Sequence, residues 1–202
     1  MLRGGEFLTE KQKLGCVIMA AGNAKRFGKN KLAVALQGRS MILRTLDSVP
    51  SEYFDTVVVV TQYPEIMHLA KEFHFAAIHN EHPELGISHT IELGLTGLRD
   101  CDGVLFSVSD QPLLRRETVA ELIRLWNTQP EKIAAVAHNG VRGNPCLFPA
   151  RFFPELLELT GDRGGSAVIR RHEADLILLE AAEAELYDVD TAEALTALES
   201  QV

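Results

Sequence analysis

Strongly apolar runs alternate with segments of helical periodicity along almost the whole chain. The runs TVVVVT at 56–61 and GVLFSV at 103–108 are apolar on both faces, which indicates strands that are covered on both sides of a sheet. Parallel strands that are joined by helices bury both faces in this way. We therefore predict an α/β fold of three layers with a mainly parallel sheet in the middle. The predicted strands are 16–20, 56–61, 75–78, 103–108, 133–137, 146–148 and 175–179, and the predicted helices are 41–46, 65–73, 88–98, 117–126, 152–159, 166–172 and one from 191 onward.

The length and the composition are those of one ordinary domain. The 202 residues are 46% hydrophobic and 24% charged, with no repeat, low-complexity tract or linker to divide them. Residues 1–13 are polar and have no apolar core of the signal-peptide type. We expect a single domain over 1–202, with 1–13 as a polar N-terminal lead-in.

The net charge and the cysteines exclude several classes of partner. A formal net charge of −8 argues against a general binder of nucleic acid or of anionic membranes, although it permits a small anion in a basic pocket. No apolar stretch approaches the about 20 residues that cross a bilayer. The three cysteines are scattered, which is typical of a reducing compartment. We expect a cytoplasmic protein with neither a nucleic-acid nor a membrane partner.

A loop with spaced cations follows the first apolar run, CVIMA. The loop contains Gly22, Arg26, Gly28 and Lys31. Glycine permits a close backbone approach to a ligand, and the cations would offset negative charge, as a triphosphate requires. The spacing fits neither the P-loop nor the dinucleotide fingerprint. A solvated basic loop after a strand is the alternative, and this segment by itself does not decide between the two.

Polar residues follow the predicted strands directly. Ligands of parallel α/β sheets lie beyond the carboxyl ends of the strands, which directs attention to 20–22, Asn80 and Asp110. Asp110 suits Mg²⁺, which is held by one or two carboxylates together with substrate phosphates and water. The alternative is that Asp110 opens a turn with Pro112.

Several further positions have both a functional and a structural interpretation. Asp190 could be a second metal carboxylate, or it could form a capping box with the glutamate three residues on. Gly86, Ser88 and Thr90 could contact a base or ribose, although Ser88 could equally cap its helix. Asn144 could face an acceptor, but it also fits a plain turn.

A second glycine-rich loop, GDRGG, precedes the helix predicted at 166–172. Its backbone N–H groups could bind an anion, and Asp162 lies within it. An ordinary turn is the alternative here too. Asp162 and Asn144 are therefore our candidates for contact with an acceptor.

The motif AAGNAKRFGKNKL resembles the signature loop of the nucleotidyltransferases that activate cofactors and sugars, approximately AAG-x-x-x-R-F/M-G-x-x-K. The resemblance continues, in order, through NEHPELGISHTIELGL, SVSDQPLL, GNPCLF, LTGDRGG and DVDTAEAL. It is strongest to the molybdenum cofactor cytidylyltransferases, which are related to the guanylyltransferases of the same cofactor. The resemblance implies a three-layer, Rossmann-like nucleotidyltransferase fold of the nucleotide-diphospho-sugar transferase type.

The resemblance also implies the catalytic roles. Arg26 and Lys31 would hold the triphosphate and stabilise the leaving pyrophosphate. Asp110 would bind Mg²⁺, and Asp190 falls where related enzymes place a second metal-side Asp or Asn. The implied nucleotide-binding residues are Ala20, Ala21, Gly22, Arg26, Lys31, Asn80, Gly86, Thr90 and Asp110.

The activity that the resemblance implies is Mg²⁺-dependent transfer of CMP from CTP to the phosphate of molybdopterin, with release of pyrophosphate. Cytidine is favoured because Ala21-Gly22 stands where the guanylyl branch usually has two glycines. Asn144 departs from the family, which often has His before this proline. The product would pass to a molybdoenzyme. The alternatives are guanylyl transfer, a different acceptor such as a sugar phosphate, and a non-catalytic nucleotide-binding or cofactor-binding protein.

Overall fold

A seven-stranded sheet forms the centre of the molecule. The computed structural model describes residues 12–22 and 31–199. The strands of the large sheet are β1 (Leu14–Ala20), β4 (Thr56–Thr61), β5 (Ala76–His79), β6 (Gly103–Val108), β7 (Ile133–His138), β8 (Val141–Pro149) and β9 (Leu176–Glu180), and a small sheet pairs β2 (Ala35–Leu36) with β3 (Arg39–Ser40). The α-helices are α1 (Met41–Ser48), α2 (Pro64–Glu72), α3 (Ile87–Thr96), α4 (Arg116–Trp126), α5 (Phe153–Leu157), α6 (Ser166–Arg171) and α7 (Ala192–Glu199).

Helices cover both faces of the large sheet, which confirms the predicted three layers. On one face α1, α2 and α4 pack on the sheet through residues such as Ile42, Ile66 and Trp126. On the other face α3, α5 and α6 do so through residues such as Ile91, Leu156 and Val168. Strands with apolar residues on both faces, such as β4, therefore lie in the middle, as their composition predicts.

The order of strands is β5-β4-β1-β6-β8-β7-β9. The chain runs outward from β1 through β4 to β5 and then returns to place β6 on the other side of β1. This reversal is the switch point at which open α/β sheets bind their ligands. The sheet thus opens a ligand site between the ends of β1 and β6.

One strand, β8, runs antiparallel to both of its neighbours. It forms a hairpin with β7 through Asn139 and Gly140, whose φ angles of 50° and 74° fit a type I′ turn. Since β8 runs in the opposite direction, its first residues lie at the edge where the parallel strands end. The sheet is mainly parallel, as predicted, but our prediction gave only 146–148 of this strand and no hairpin.

The helix starts identify one cap, Ser40, and settle two of the alternatives left by the sequence, at Ser88 and Asp190. Ser40 caps α1, because its hydroxyl accepts a hydrogen bond from the backbone N of Leu43 at 3.4 Å. The capping role suggested for Ser88 is wrong, since α3 begins at Ile87 and its N-cap is Gly86. Thr191, rather than Asp190, accepts the capping hydrogen bond from the backbone N of Ala194, at 3.1 Å.

No helix within residues 12–22 and 31–199 combines the length and the apolar character that a bilayer crossing requires.

Close packing of α3 on the sheet makes Gly94 a sensitive position. A Cβ added at Gly94 would lie 2.5 Å from Cγ1 of the fully buried Val17, whereas one added at Gly97 would meet no atom within 4 Å. We expect Gly94→Ala to lower the free energy of unfolding by about 1–2 kcal/mol, because overpacking outweighs the gain in helix propensity. Urea denaturation measures the change. Gly97→Ala, at the end of the same helix, is the matched control, and equal stability of the two variants would contradict the packing argument.

Candidate active site

A cleft of about 390 Å³ opens at the switch point. It lies beyond the carboxyl ends of β1 and β6, as the topology requires. Its lining residues are Met19, Ala21, Gly22, Lys31, Leu32, Pro83, Glu84, Gly86, Ile87, Thr90, Val108, Ser109, Asp110 and Asp162. The cleft therefore brings together six of the predicted site residues from three distant parts of the sequence, namely Ala21, Gly22, Lys31, Gly86, Thr90 and Asp110. The predicted acceptor contact Asp162 joins them from a fourth part.

Lys31 connects two of the predicted metal ligands. Its Nζ lies 3.3 Å from Oδ2 of Asp110 and 3.1 Å from Oδ1 of Asp190, and it also donates to the carbonyl of Val189 at 3.3 Å. The Lys31 side chain is only 14% exposed, while that of Asp190 is 59% exposed. The ammonium group of Lys31 therefore lies between the carboxylates of Asp110 and Asp190 at the edge of the cleft, where opposite charges are concentrated.

The segment that carries Asp190 is bound directly to the end of β6. The backbone N of Val189 donates to the carbonyl of Asp110 at 2.8 Å, and Nε2 of Gln111 donates to Oδ1 of Asp188 at 3.0 Å. Burial raises the pKa of Asp188 above its usual range, and the nearby charges of Asp110 and Asp190 raise it further. Three carboxyl groups thus share this corner of the site, and one of them is biased towards its neutral form.

The carboxylates fit a magnesium ion that is completed by substrate. In the part of the chain that the structure describes, no group of three or more His, Cys, Asp or Glu side chains is arranged to hold a metal. Asp110 and Asp190, however, both reach the same ammonium group. Mg²⁺ characteristically takes one or two carboxylates and completes its shell with phosphate and water. The donor set is therefore suitable for a metal that arrives with a nucleotide.

Hydrogen bonds from the end of β4 fix the backbone at the end of β1. The hydroxyl of Thr61 donates to the carbonyl of Ala20 at 2.9 Å, and Nε2 of Gln62 donates to the carbonyl of Ala21 at 2.8 Å. The hydroxyl of Tyr63 donates to the carbonyl of Gly22 at 3.2 Å. Ala20 is fully buried and does not line the cleft, whereas Ala21 and Gly22 do. No sequence pattern predicts this support from β4.

The opposite wall of the cleft depends on Gly86. Its φ of 87° is a glycine conformation, and an added Cβ would lie 2.5 Å from the backbone of Gly161. The carbonyl of Gly161 accepts a hydrogen bond from the backbone N of Ser88 at 3.1 Å. The loop at 161–162 therefore packs on the start of α3, and Asp162 lines the cleft.

Asn80 does not line the cleft but lies behind its wall. It is 1% exposed, and its Nδ2 donates to Oγ1 of Thr90 at 3.3 Å. Its Oδ1 accepts from the backbone N of His82 at 2.9 Å. Thr90 lines the cleft, so Asn80 orients a cleft residue and the turn beside it.

Two further predicted residues remain. Asn144 lies away from the cleft, and Arg26 lies outside the described part of the chain. Asn144 lines a narrow cavity beneath β8 and a wider one beside the β7–β8 hairpin, so it is separate from Asp162. The prediction for Arg26 falls outside the described residues.

The chain has the mixed α/β fold of the nucleotide-diphospho-sugar transferases, with a mostly parallel seven-stranded sheet. The family model described as the MobA-like NTP transferase domain matches residues 16–176, and the chain belongs to this family. The predicted fold and the resemblance to a nucleotidyltransferase family are both confirmed. The family supports nucleotidyl transfer from a nucleoside triphosphate.

The chain is similar to proteins from several organisms. It is 27% identical over 190 residues to the purine catabolism protein PucB of Bacillus subtilis strain 168, which covers 88% of this chain and 91% of PucB. It is 27% identical over 198 residues to a probable molybdenum cofactor guanylyltransferase of Nostoc sp. strain PCC 7120, with 93% and 91% covered. A solved nucleotidyl transferase from Methanothermobacter thermautotroptrophicus superposes with a TM-score of 0.78 at 18% identity, covering 94% of this chain and 97% of that one.

Proposed function

We propose that this protein transfers CMP from CTP to the terminal phosphate of molybdopterin in a Mg²⁺-dependent reaction and releases pyrophosphate. The observation that carries the proposal is the contact of Lys31 with both Asp110 and Asp190 at the edge of the cleft. The reaction would take place in the cytoplasm, and the product would pass to a molybdoenzyme.

The chemistry requires positioning and charge neutralisation rather than a protein nucleophile. A phosphate oxygen of molybdopterin attacks the α-phosphorus of CTP, and a new P–O bond forms. The bond between that phosphorus and the oxygen bridging to the β-phosphate breaks, and pyrophosphate leaves with its electron pair. Lys31 would stabilise the negative charge that develops on the leaving group, with Arg26 as its predicted partner.

Asp110 and Asp190 would hold the magnesium ion. When bound there, the ion supplies positive charge that offsets the phosphate oxygens around the reacting phosphorus. The two carboxylates would set the side of the cleft on which the phosphates lie. Both contact Lys31, and the neighbour of Asp190, Val189, is hydrogen-bonded to the end of β6.

The choice of acceptor and the choice of base rest on different support. A relative that covers most of the chain is named a probable molybdenum cofactor guanylyltransferase, which favours the molybdenum cofactor as acceptor. The same name favours GTP, so guanylyl transfer is the second candidate. The observation that favours CTP is Ala21, which lines the cleft and is only 4% exposed. Its methyl group occupies space that a purine would need if it bound against this strand end.

The test is pyrophosphate release in the presence of molybdopterin and Mg²⁺, with CTP, GTP, ATP and UTP compared at equal concentration. We expect CTP to give the highest kcat/KM. A preference for GTP would overturn the choice of base and leave the transferase assignment in place. Nucleotide binding without pyrophosphate release, with molybdopterin present, would overturn the enzyme assignment in favour of a binding protein.

Ala21→Gly tests the source of the base preference. Removing the methyl group should move the ratio of kcat/KM for CTP and GTP towards GTP by about tenfold or more, because one methyl group in a pocket discriminates by that order. Ala70→Gly is a matched control, since Ala70 is equally small and buried but lies in α2. An unchanged ratio in Ala21→Gly would contradict the role of this methyl group.

A further inference from the structure

A segment without regular secondary structure carries Asp190 to its place beside Lys31. After a short 3₁₀ turn at Glu183–Leu186, the backbone of residues 187–190 forms neither helix nor strand. A segment of this kind has no ladder of backbone hydrogen bonds, so its position depends on single contacts with the rest of the fold. Two such contacts, made by Asp188 and Val189, join it to the end of β6.

A third contact is made by Glu185, whose carboxylate is buried at the start of α4. The residue is only 3% exposed although it is an acid. Its Oε2 accepts a hydrogen bond from the backbone N of Arg115 at 3.0 Å, and its Oε1 accepts from Nε of Arg115 at 2.9 Å and lies 2.7 Å from Nη2. The side chain of Thr118 hydrogen-bonds to the same carboxylate. Arg115 is the N-cap of α4 and Thr118 lies in its first turn, so Glu185 fixes the segment to this helix.

The charge of Glu185 makes this attachment strict. Burial raises the pKa of the carboxyl group, but hydrogen bonds from Arg115 and Thr118 outweigh burial and hold the pKa below its ordinary value. A buried negative charge is tolerated only while its donors stay in place, and the N-terminus of a helix favours it further. The carboxylate therefore permits little displacement of the segment, whereas an apolar side chain would permit sliding.

The same segment reaches the metal corner of the cleft a few residues later. Glu185 itself lies outside the lining of the cleft in the part of the chain that the structure describes. The carbonyl of Val189 accepts from Nζ of Lys31 at 3.3 Å, and Oδ1 of Asp190 lies 3.1 Å from the same nitrogen. A shift at Glu185 would carry Val189 and Asp190 away from Lys31 and Asp110. Glu185 can thus act on the cleft only through the position of these residues.

We propose that Glu185 is a positioning residue for the divalent-cation site, because it holds the segment on α4 and so keeps Asp190 beside Asp110. The inference rests on the proposed function, in which these two carboxylates hold the magnesium ion, and it deepens that function by naming what sets their relative position. Affinity for the cation, rather than the choice of base or acceptor, depends on the contact of Glu185 with Arg115.

The experiment measures cation binding apart from turnover. Mn²⁺ is titrated into the protein without nucleotide or acceptor and followed by electron paramagnetic resonance, and circular dichroism verifies the fold. Glu185→Gln should raise the Kd for Mn²⁺ by about tenfold or more, since residues that orient a metal ligand have effects of that size. The KM for Mg²⁺ in pyrophosphate release should rise with it. The kcat at saturating Mg²⁺ and the ratio of kcat/KM for CTP and GTP should stay near those of the parent protein.

A second variant decides the matter if Glu185→Gln does not fold. Arg115→Ala keeps the carboxylate together with its hydrogen bonds from the backbone N of residue 115 and from Thr118. The Arg115 side chain is 63% exposed, so this is the milder change, and it should raise the Kd for Mn²⁺ in the same direction. Glu183→Gln is the matched control, because it makes the same chemical change on an exposed side chain of the same turn, and it should leave the Kd unchanged.

A double-mutant cycle separates positioning from a general loss of structure. If Glu185 acts through Asp190, then Glu185→Gln should add little to the Kd for Mn²⁺ in the Asp190→Asn background, since both changes remove the same ligand. An equal effect with and without Asp190 would contradict the proposed route.

The outcomes distinguish this inference from the proposed function. Parent-like Mn²⁺ binding by folded Glu185→Gln or Arg115→Ala, in a protein that releases pyrophosphate, would overturn the inference and keep the function. Weaker Mn²⁺ binding by the variants of a protein that releases no pyrophosphate with any nucleotide would support the inference and overturn the function. A parent protein with neither Mn²⁺ binding nor Mg²⁺-dependent turnover would overturn the metal assignment and this inference together.

Discussion

Asp110→Asn is expected to lower kcat for nucleotidyl transfer by about 10³-fold, because it removes the charge that would hold the proposed metal at the reacting phosphates. The substitution preserves size, and the Asp110 side chain is 27% exposed, so the fold should be retained. Pyrophosphate release at saturating substrates measures the effect, and circular dichroism with thermal unfolding verifies the fold.

Asp100→Asn is the matched control for this substitution. Asp100 is exposed in the turn before β6, so its substitution by Asn makes the same chemical change away from the cleft. We expect it to keep the parent kcat. A folded Asp110→Asn protein with near-normal turnover would remove the metal assignment, whatever base or acceptor is used.

Lys31→Gln is expected to have the second-largest effect, a fall in kcat/KM for the nucleotide of about 10²–10³-fold, through loss of charge at the leaving phosphates. The same variant should bind a divalent cation more tightly when no nucleotide is present. In the parent protein the ammonium group of Lys31 would compete with the proposed metal for Asp110 and Asp190, since it contacts both carboxylates. Without the ammonium group, the two carboxylates lack one compensating positive charge and should attract a divalent cation more strongly.

Both halves of this prediction can be measured on one preparation. Turnover is assayed with nucleotide and acceptor, and Mn²⁺ affinity is titrated in their absence as a probe of the carboxylate pair. Lys71→Gln removes an exposed charge from α2 and should change neither quantity. Weaker Mn²⁺ binding by Lys31→Gln would show that the lysine supports the carboxylates rather than competing with a cation for them.

The sequence predicted the layers of the fold because burial on both faces of a strand is a local property. A run such as TVVVVT can be recognised without knowing its neighbours, and the helices between such runs impose parallel pairing. The direction of β8 depends instead on the turn before it. Asn139-Gly140 is the dipeptide that type I′ hairpins prefer, and this signal could have predicted the hairpin. The hairpin in turn would have placed Arg142 and Asn144 at the edge where the parallel strands end.

The candidate site divides in the same way. Asp110, Ala21 and Gly22 follow strands, so the rule for parallel sheets was sufficient to find them. The contact of Lys31 with Asp190 spans 159 positions in the sequence, and only the folded chain shows it. Gln111 directly follows Asp110, but it is buried by the segment 183–188, which has no periodic pattern that would predict where it packs. That burial leaves its Oε1 without a hydrogen-bond partner among the described residues.

The reversal of direction at β8 has a consequence for how such proteins diversify. The strand ends on one side of the reversal, β1, β4 and β6, form or support the candidate cleft, and the hairpin on the other side lines a separate cavity. Changes in the length or sequence of a hairpin tip are tolerated more readily than changes in a buried parallel strand. The tip of the hairpin can therefore vary in length and sequence without disturbing the parallel strands whose ends form the cleft.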